Sequence, residues 1–223
     1  LLLYGYGRDL KSARALLAQA QDYYLQTLPE IDCILHKYRA AGDFNLRRGI
    51  IVYGEQPAQW VVEHQVCYAL DLRLNQDASF YLDTRNLRAW ILENSYGKHV
   101  INLFAYTGSL GVSALAGGAQ HVIQLDLKQK FLNVAQRSVS LNKLDISKMS
   151  LDGADFFSRV AFYKRQSTLF DLVILDAPFF STTNKGSVDQ VAQSMRLVNK
   201  VRPLVKNGGQ LILVNNALFL SGR

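Results

Sequence analysis

The stretch Asn102-Leu103-Phe104-Ala105-Tyr106-Thr107-Gly108-Ser109-Leu110-Gly111, entered through Val100-Ile101, decides the fold. It joins a strand-length apolar run to a helical segment near 109–117 through a turn that carries two glycines. Outward from it the same order recurs. His121 to Asp126, Phe170 to Asp176 and Gln210 to Val214 read as further strands, with candidate helices near 128–142, 154–165 and 189–206. Buried-type runs alternating with helical periods indicate repeated β-α units, hence a parallel sheet covered on both faces. The fold class that follows is α/β, a mostly parallel doubly wound sheet over residues 79–223.

Residues 1–78 read differently, as a small α+β subdomain. From Arg8 to Leu28 the apolar residues Leu10, Ala13, Leu16, Leu17, Ala20, Tyr24 and Leu25 follow the spacing of an amphipathic helix, which Pro29 stops. Ile31 to Tyr38 and Trp60 to Leu74 are predicted strands, with a turn over Val52-Tyr53-Gly54-Glu55-Gln56-Pro57. Leu1 in place of Met, and the ending Leu220-Ser221-Gly222-Arg223, are read as a chain trimmed at both ends.

The chain has 223 residues, 49% of them hydrophobic, enough for one sizeable core. The apolar run from Gly209 to Leu220 is interrupted by Asn215 and Asn216, so no membrane span is expected, nor is a signal peptide. The two cysteines, Cys33 and Cys67, lack metal-ligand spacing, and neither a disulfide framework nor a metal site is expected. These features suggest a cytoplasmic protein, a monomer or homodimer. Twenty-five Lys and Arg against 18 acidic residues give +7, which permits a polyanionic partner such as RNA through phosphate neutralisation.

Polar and acidic residues fall where the predicted strands stop, and ligands of open α/β sheets bind at the carboxyl ends of strands. Gly108 and Gly111 would let the backbone approach a ligand while the following helix presents its N–H groups. Plain turn chemistry accounts for the same pair. Asp126 lies 18 positions after Gly108, close to the spacing of about 20 at which an acid meets ribose hydroxyls, although it could instead cap the next helix. Asp155 could hold an adenine amino group beside a stacked aromatic, or again cap a helix. Tyr106 stands where a dinucleotide loop would have its first glycine, which disfavours NAD. A nucleoside with an amino-acid tail in place of phosphates suits this turn better, and S-adenosyl-L-methionine is such a ligand.

The order and spacing of Phe80-Tyr81-Leu82-Asp83-Thr84-Arg85, then residues 102–109, then Leu141-Asn142-Lys143-Leu144 resemble the bacterial large-subunit ribosomal RNA methyltransferases over roughly residues 8–223. The resemblance implies a Rossmann-like class I methyltransferase domain with S-adenosyl-L-methionine as cofactor and large-subunit rRNA as partner. It further implies that Tyr81, Asp83 and Arg85, with Asn102, Phe104, Tyr106, Thr107 and Gly108, enclose the methionine end. Asp126 and Leu127 would then lie at the ribose, Asp155 and Phe156 at adenine, and Asp176 at the reaction centre. Arg85 offers a fork of donors to a carboxylate, or a salt bridge to Asp83 or Glu93.

Asp176-Ala177-Pro178-Phe179-Phe180 departs from the family's Asp-Pro-Pro-x-Phe, and alanine in place of proline is expected to loosen the turn that receives the target base. Phe179 or Phe180 could stack on a flipped base or belong to the core. Methylation at pyrimidine C5 requires a nucleophile, yet both cysteines precede the sheet and the fifth strand ends in Asn215-Asn216. That ending resembles the guanine-N7 module of the family, whose acceptor nitrogen already has a lone pair and needs mainly positioning. Asn215 and Asn216 could donate and accept along a purine edge or simply turn the chain. Two alternatives stand beside this reading: a catalytically weakened homologue that binds cofactor or RNA, and a methyltransferase for a non-RNA substrate.

Overall fold

The computed structural model describes residues 1–7 and 9–216. The chain separates into two compact units, Leu1–Val61 with Ala69–Tyr81, and Val62–Tyr68 with Leu82–Arg223.

In the first unit β1 (Leu2–Gly5) pairs parallel to β2 (Ile34–Tyr38), which pairs antiparallel to β3 (Ile50–Tyr53). The crossover is α1 (Leu10–Thr27), capped by Asp9, whose carboxylate accepts the N–H groups of Lys11 and Ser12. Its apolar stripe places Ala13 and Leu17 against Tyr38. Arg8, where the periodic pattern begins, lies outside the described residues. A short α2 (Phe44–Arg48) links β2 to β3. Lys37 is fully buried within β2, and its Nζ donates to the carbonyls of Asn75 (2.9 Å) and Asp77 (2.7 Å).

The single strand expected from Trp60 to Leu74 is instead the hairpin β4 (Trp60–Glu63) and β5 (Val66–Ala69), followed by a turn. His64 and Gln65 both take positive φ, 51° and 64°, the conformation a two-residue hairpin turn of type I′ demands. Neither is the Asn or Gly that usually announces such a turn, so the sequence reading ran through it.

In the second unit five strands form one wholly parallel sheet: β6 (His99–Leu103), β7 (His121–Asp126), β8 (Met149–Gly153), β9 (Phe170–Leu175) and β12 (Val205–Leu213), in the order β12-β9-β6-β7-β8. Residues Leu172 to Leu175, Val100, Ile101 and Leu103 are fully buried, as a sheet covered on both faces requires. The strand order reverses between β6 and β9, the switch point at which such sheets bind ligands.

The helices are α3 (Arg85–Asn94), α4 (Ser109–Ala116), α5 (Gln129–Leu141), α6 (Phe156–Arg165) and α7 (Gln190–Val201). The hairpin β10 (Phe180–Thr183) and β11 (Gly186–Asp189) stands between β9 and α7. The sequence reading did not anticipate α3, β8 or this hairpin. Asn142 has a packing role, since its side chain accepts the Cys67 N–H (2.8 Å) and donates to the Cys67 carbonyl (2.6 Å), closing α5 onto β5.

Candidate active site

The loop after β6 is strained by design. Phe104 and Tyr106 adopt φ of 59° and 52°, and Gly108 75°, and each non-glycine residue in this region costs about 1–2 kcal/mol. Hydrogen bonds repay that cost: Ala105 N–H donates to the Leu125 carbonyl (2.8 Å), Tyr106 N–H to Asp126 Oδ2 (2.9 Å) and Gly108 N–H to the Ala105 carbonyl (2.8 Å). Asp126 accepts the Lys128 N–H on its other oxygen (2.9 Å), so the carboxylate ties the β6 loop to the start of α5. Lys128, not Asp126, occupies the N-cap position of α5. Burial pushes the Asp126 carboxyl above the usual range, and the Lys128 and Tyr106 N–H groups offset part of that. Each carboxylate oxygen has about two acceptor sites, so capacity remains for a diol.

The two glycines answer to a neighbour inside the protein. A Cβ on Gly108 would meet the Ala135 Cβ at 2.5 Å and Gln124 Nε2 at 2.7 Å, and one on Gly111 would meet the Gln124 Cδ and Oε1 at 2.5 Å. Gln124 is fully buried in β7, accepts from Asn102 Nδ2 (2.8 Å) and donates to the Gly108 carbonyl (2.8 Å). The Asn102 side chain therefore serves the loop from within the sheet, and its Oδ1 is buried with no hydrogen-bond partner among the described residues. A lone Gln within an otherwise apolar strand was the sequence signal for this network, since a buried amide requires partners.

At the β8 end, Asp155 caps α6 by accepting the Ser158 N–H (3.0 Å) and holds the β10–β11 hairpin by accepting from Thr183 Oγ1 (2.7 Å). Burial would raise its carboxyl, but the bonds from Ser158 and Thr183 outweigh it and keep it below the ordinary range. Phe156 is buried against Phe104, ring centroids 4.6 Å apart, whereas Leu127 beside Asp126 is 54% exposed. Thr107 is buried in the loop. Asp83 and Arg85 are exposed at the start of α3, and among the described residues Arg85 forms no ion pair with Asp83 or Glu93. Tyr81 is the last residue of the first unit and is exposed.

The β9 and β12 ends meet at the switch point. Asp176 N–H donates to the Leu103 carbonyl (3.3 Å), and Asn216 Nδ2 donates to both Asp176 Oδ1 (2.9 Å) and the Ala177 carbonyl (2.8 Å). That network fixes the amide orientation: both N–H groups of Asn216 are used internally, and Oδ1 is what it offers a ligand. Donating and accepting along a purine edge, the role expected from sequence, is thus reduced to accepting. Burial raises the Asp176 carboxyl, the Asn216 bond offsets this in part, and the negative charge of Asp83 raises it further.

Ala177 does not loosen this turn. It is fully buried, and its carbonyl accepts from Gln190 Nε2 (2.8 Å) as well as from Asn216. Pro178 is half-buried, while Phe179 (41%) and Phe180 (61%) are exposed, so neither is core. Asn215 is also exposed. Sequence reasoning missed Gln190, and it missed Arg88, which is fully buried in α3. Arg88 forms a bidentate pair with Glu63 (2.7 and 3.0 Å) and donates to Thr84 Oγ1 (2.6 Å), bracing the segment before α3. A charged residue in line with Ile91 on the inner face of the helix was the available signal.

A family model for S-adenosylmethionine-dependent methyltransferases matches residues 30–220. The chain belongs to that family. Among curated relatives it is 34% identical over 169 residues to the ribosomal RNA large subunit methyltransferase I of Serratia proteamaculans, covering 75% of this chain and 42% of that protein. It is likewise 34% identical over 165 residues to the protein of that name from Aliivibrio fischeri strain ES114, covering 73% and 41%. The chain thus spans about two fifths of the length of these relatives. Among solved structures SMU.776 complexed with SAH superposes with a TM-score of 0.80 at 23% identity, covering 90% of this chain and 52% of that one. That likeness is one of fold, and it agrees with the Rossmann-like α/β architecture. The chemistry of the donor set fits the family's cofactor: a carboxylate with spare acceptors at Asp126, carboxylates at Asp83 and Asp176, and at Arg85 a guanidinium with no ion pair among the described residues. No helix among the described residues is long and apolar enough to cross a membrane, and no group of three His, Cys, Asp or Glu among them is arranged to hold a metal.

Proposed function

We propose that this protein transfers a methyl group from S-adenosyl-L-methionine to a base nitrogen of large-subunit ribosomal RNA, guanine N7, without a cysteine nucleophile. The observation that carries this reading is the Asp176–Asn216–Ala177 cluster at the switch point, beside the strained β6 loop. The bound cofactor supplies an electrophilic methyl on a sulfonium. Asp126 holds the ribose hydroxyls, Asp83 and Asp176 flank the ammonium of the methionine end, and Arg85 meets its carboxylate. Leu127 lies with Asp126 at the ribose and Phe156 lines the adenine side, with Asp155 at its amino group and Asn102 and Thr107 supporting the loop from behind.

On the acceptor side, Phe179 or Phe180 stacks on the base over the Pro178 turn, with Asn215 at the rim. Asn216 Oδ1, an acceptor, complements the N–H groups on the guanine edge that lies across the ring from N7. Reading one edge leaves the opposite edge turned towards the methyl. N7 attacks through its in-plane lone pair, so no proton has to be removed and positioning supplies most of the catalysis. Both cysteines lie at positions 33 and 67, ahead of the sheet, which is why C5 chemistry is disfavoured. In this reading residues 79–223 are the transferase domain, residues 1–78 a small α+β domain, and the reaction is cytoplasmic.

The test is incubation of the protein with tritiated cofactor and unmodified ribosomal RNA, followed by nuclease digestion and mass spectrometry. Label on guanine N7 is expected. Label on pyrimidine C5 overturns the choice of atom, and cofactor binding without any incorporation overturns the enzymatic reading.

A further inference from the structure

Gln190 opens α7 yet is buried, and every part of its amide is engaged. Nε2 donates to the Ala177 carbonyl (2.8 Å) and to the Val214 carbonyl (3.0 Å), while Oε1 accepts the Asn216 backbone N–H (2.8 Å). Its own N–H donates to the Phe179 carbonyl (3.1 Å). One side chain therefore spans the turn after β9, the turn after β12 and the first turn of α7. The two turns it joins carry the acceptor-side groups. Asp189, one position earlier, caps α7 by accepting the N–H groups of Val191 and Ala192 (3.0 and 2.9 Å), which fixes the helix from which Gln190 projects.

We infer that Gln190 is a positioning residue for the acceptor side of the site, setting where Asn216 and the Ala177 carbonyl stand. The inference rests on the proposed base methylation. In the family's usual motif a second proline stiffens the turn at the position of Ala177 by fixing backbone torsion. Here two hydrogen bonds to the Ala177 carbonyl, one from Gln190 at the start of α7 and one from Asn216 after β12, do that work. They also couple the turn to the β12 end, which a proline could not do. The amide is matched to its surroundings: two carbonyls face the two N–H groups, and one N–H faces the oxygen. No other uncharged side chain of this size offers that pattern, so Gln190→Glu removes both donors and Gln190→Met removes all three bonds at similar volume.

The experiment uses the full chain as wild type, Q190E and Q190M. SAH affinity by calorimetry is expected to fall far less than the rate, because of the groups placed on the cofactor only Asp176 touches this network, through Asn216. Single-turnover methyl transfer to ribosomal RNA is expected to slow about 100-fold, the effect of misplacing reacting groups by about an ångström. On an Asn216→Ala background Q190M should add little further loss, since the two residues act as one unit. Hydrogen exchange of the Asn216 backbone amide should lose its protection in Q190M. Wild-type transfer by Q190M, or SAH affinity falling in step with the rate, overturns the inference. If the wild type binds SAH and methylates no RNA, the proposed function fails instead, and exchange decides on Gln190: retained protection at Asn216 in Q190M overturns its role, and lost protection supports it.

Discussion

Gly111→Ala sets two effects of opposite sign against each other. Gly111 lies in α4 with ordinary helical φ, and in a helix interior alanine is favoured over glycine by about 0.8–1 kcal/mol. On propensity alone the variant should be stabilised. Against this, the new Cβ would stand 2.5 Å from the Gln124 Cδ and Oε1. Gln124 has nowhere to go: it is fully buried and held at 2.8 Å by both Asn102 and the Gly108 carbonyl. Displacing it breaks two buried hydrogen bonds at about 1–3 kcal/mol each, leaving a net loss near 3 kcal/mol after the helical gain. For a chain of this size that lowers Tm by about 6–12 °C.

The assay is thermal unfolding of the full chain, alone and on a Gln124→Ala background, where the obstructing amide is gone. The cost should vanish there and leave the helical gain. SAH affinity should also fall in Gly111→Ala, because Gln124 supports the loop through the Gly108 carbonyl. A Tm equal to or above the wild type, or the same loss on both backgrounds, would refute the packing account of this glycine.

Asp126→Ala removes the tethers to Tyr106 and Lys128 together with the diol acceptors; SAH affinity by calorimetry should fall at least about tenfold, from charged hydrogen bonds of about 1.5–3 kcal/mol, and unchanged affinity would leave Asp126 a purely structural role. Glu63→Ala takes the carboxylate partner from the buried Arg88 guanidinium and should destabilise the second unit by about 3–5 kcal/mol in urea titration. Burial alone would raise the Glu63 carboxyl, but the hydrogen bond and charge of Arg88 outweigh it and hold it below 4.5. Because the folded pKa lies below the unfolded one, that stability is present above pH 4.5 and is lost as pH falls through the folded value, a loss that Glu63→Gln should not show. Lys37 has the opposite linkage: burial lowers it from 10.5 to about 8, so between those values the unfolded chain binds the extra proton and the first unit should gain stability as pH rises. Unfolding followed from pH 7 to 11 should show that gain in the wild type and not in Lys37→Met.

Hydrophobic periodicity made the parallel core legible because strands β6, β7 and β9 lie inside the sheet and are largely buried, so most of their positions are apolar, while the edge strand β12 showed itself only through its closing run Leu211-Ile212-Leu213. The β8 segment Met149-Ser150-Leu151-Asp152-Gly153, at the sheet edge, alternates with polar residues and gave no such run. The carboxylates Asp126 and Asp176 were legible from position, since a strand's carboxyl end is dictated by where its apolar run stops, whereas Asp155 was legible only from its place at the start of the helix expected near 154–165. Their partners were not. Asp126 bonds Tyr106 20 residues away, Asn216 bonds Asp176 40 residues away, and Gln190 reaches both turns only because β9 and β12 are neighbours in the sheet.

The amino-acid order by itself thus determined the α/β class, the strand ends and the residue types that carry the chemistry, because these depend on local periodicity and on short-range turn preferences. Only the tertiary structure decided what each group does: that Gly108 and Gly111 make room for Gln124, that Asp155 caps a helix, that Asn216 has only an acceptor to offer, and that Gln190 and Asn216 hold the Ala177 turn in place of a proline. Those roles are set by which strands lie side by side and by how many donors and acceptors each buried amide must satisfy, and neither quantity can be counted along a chain.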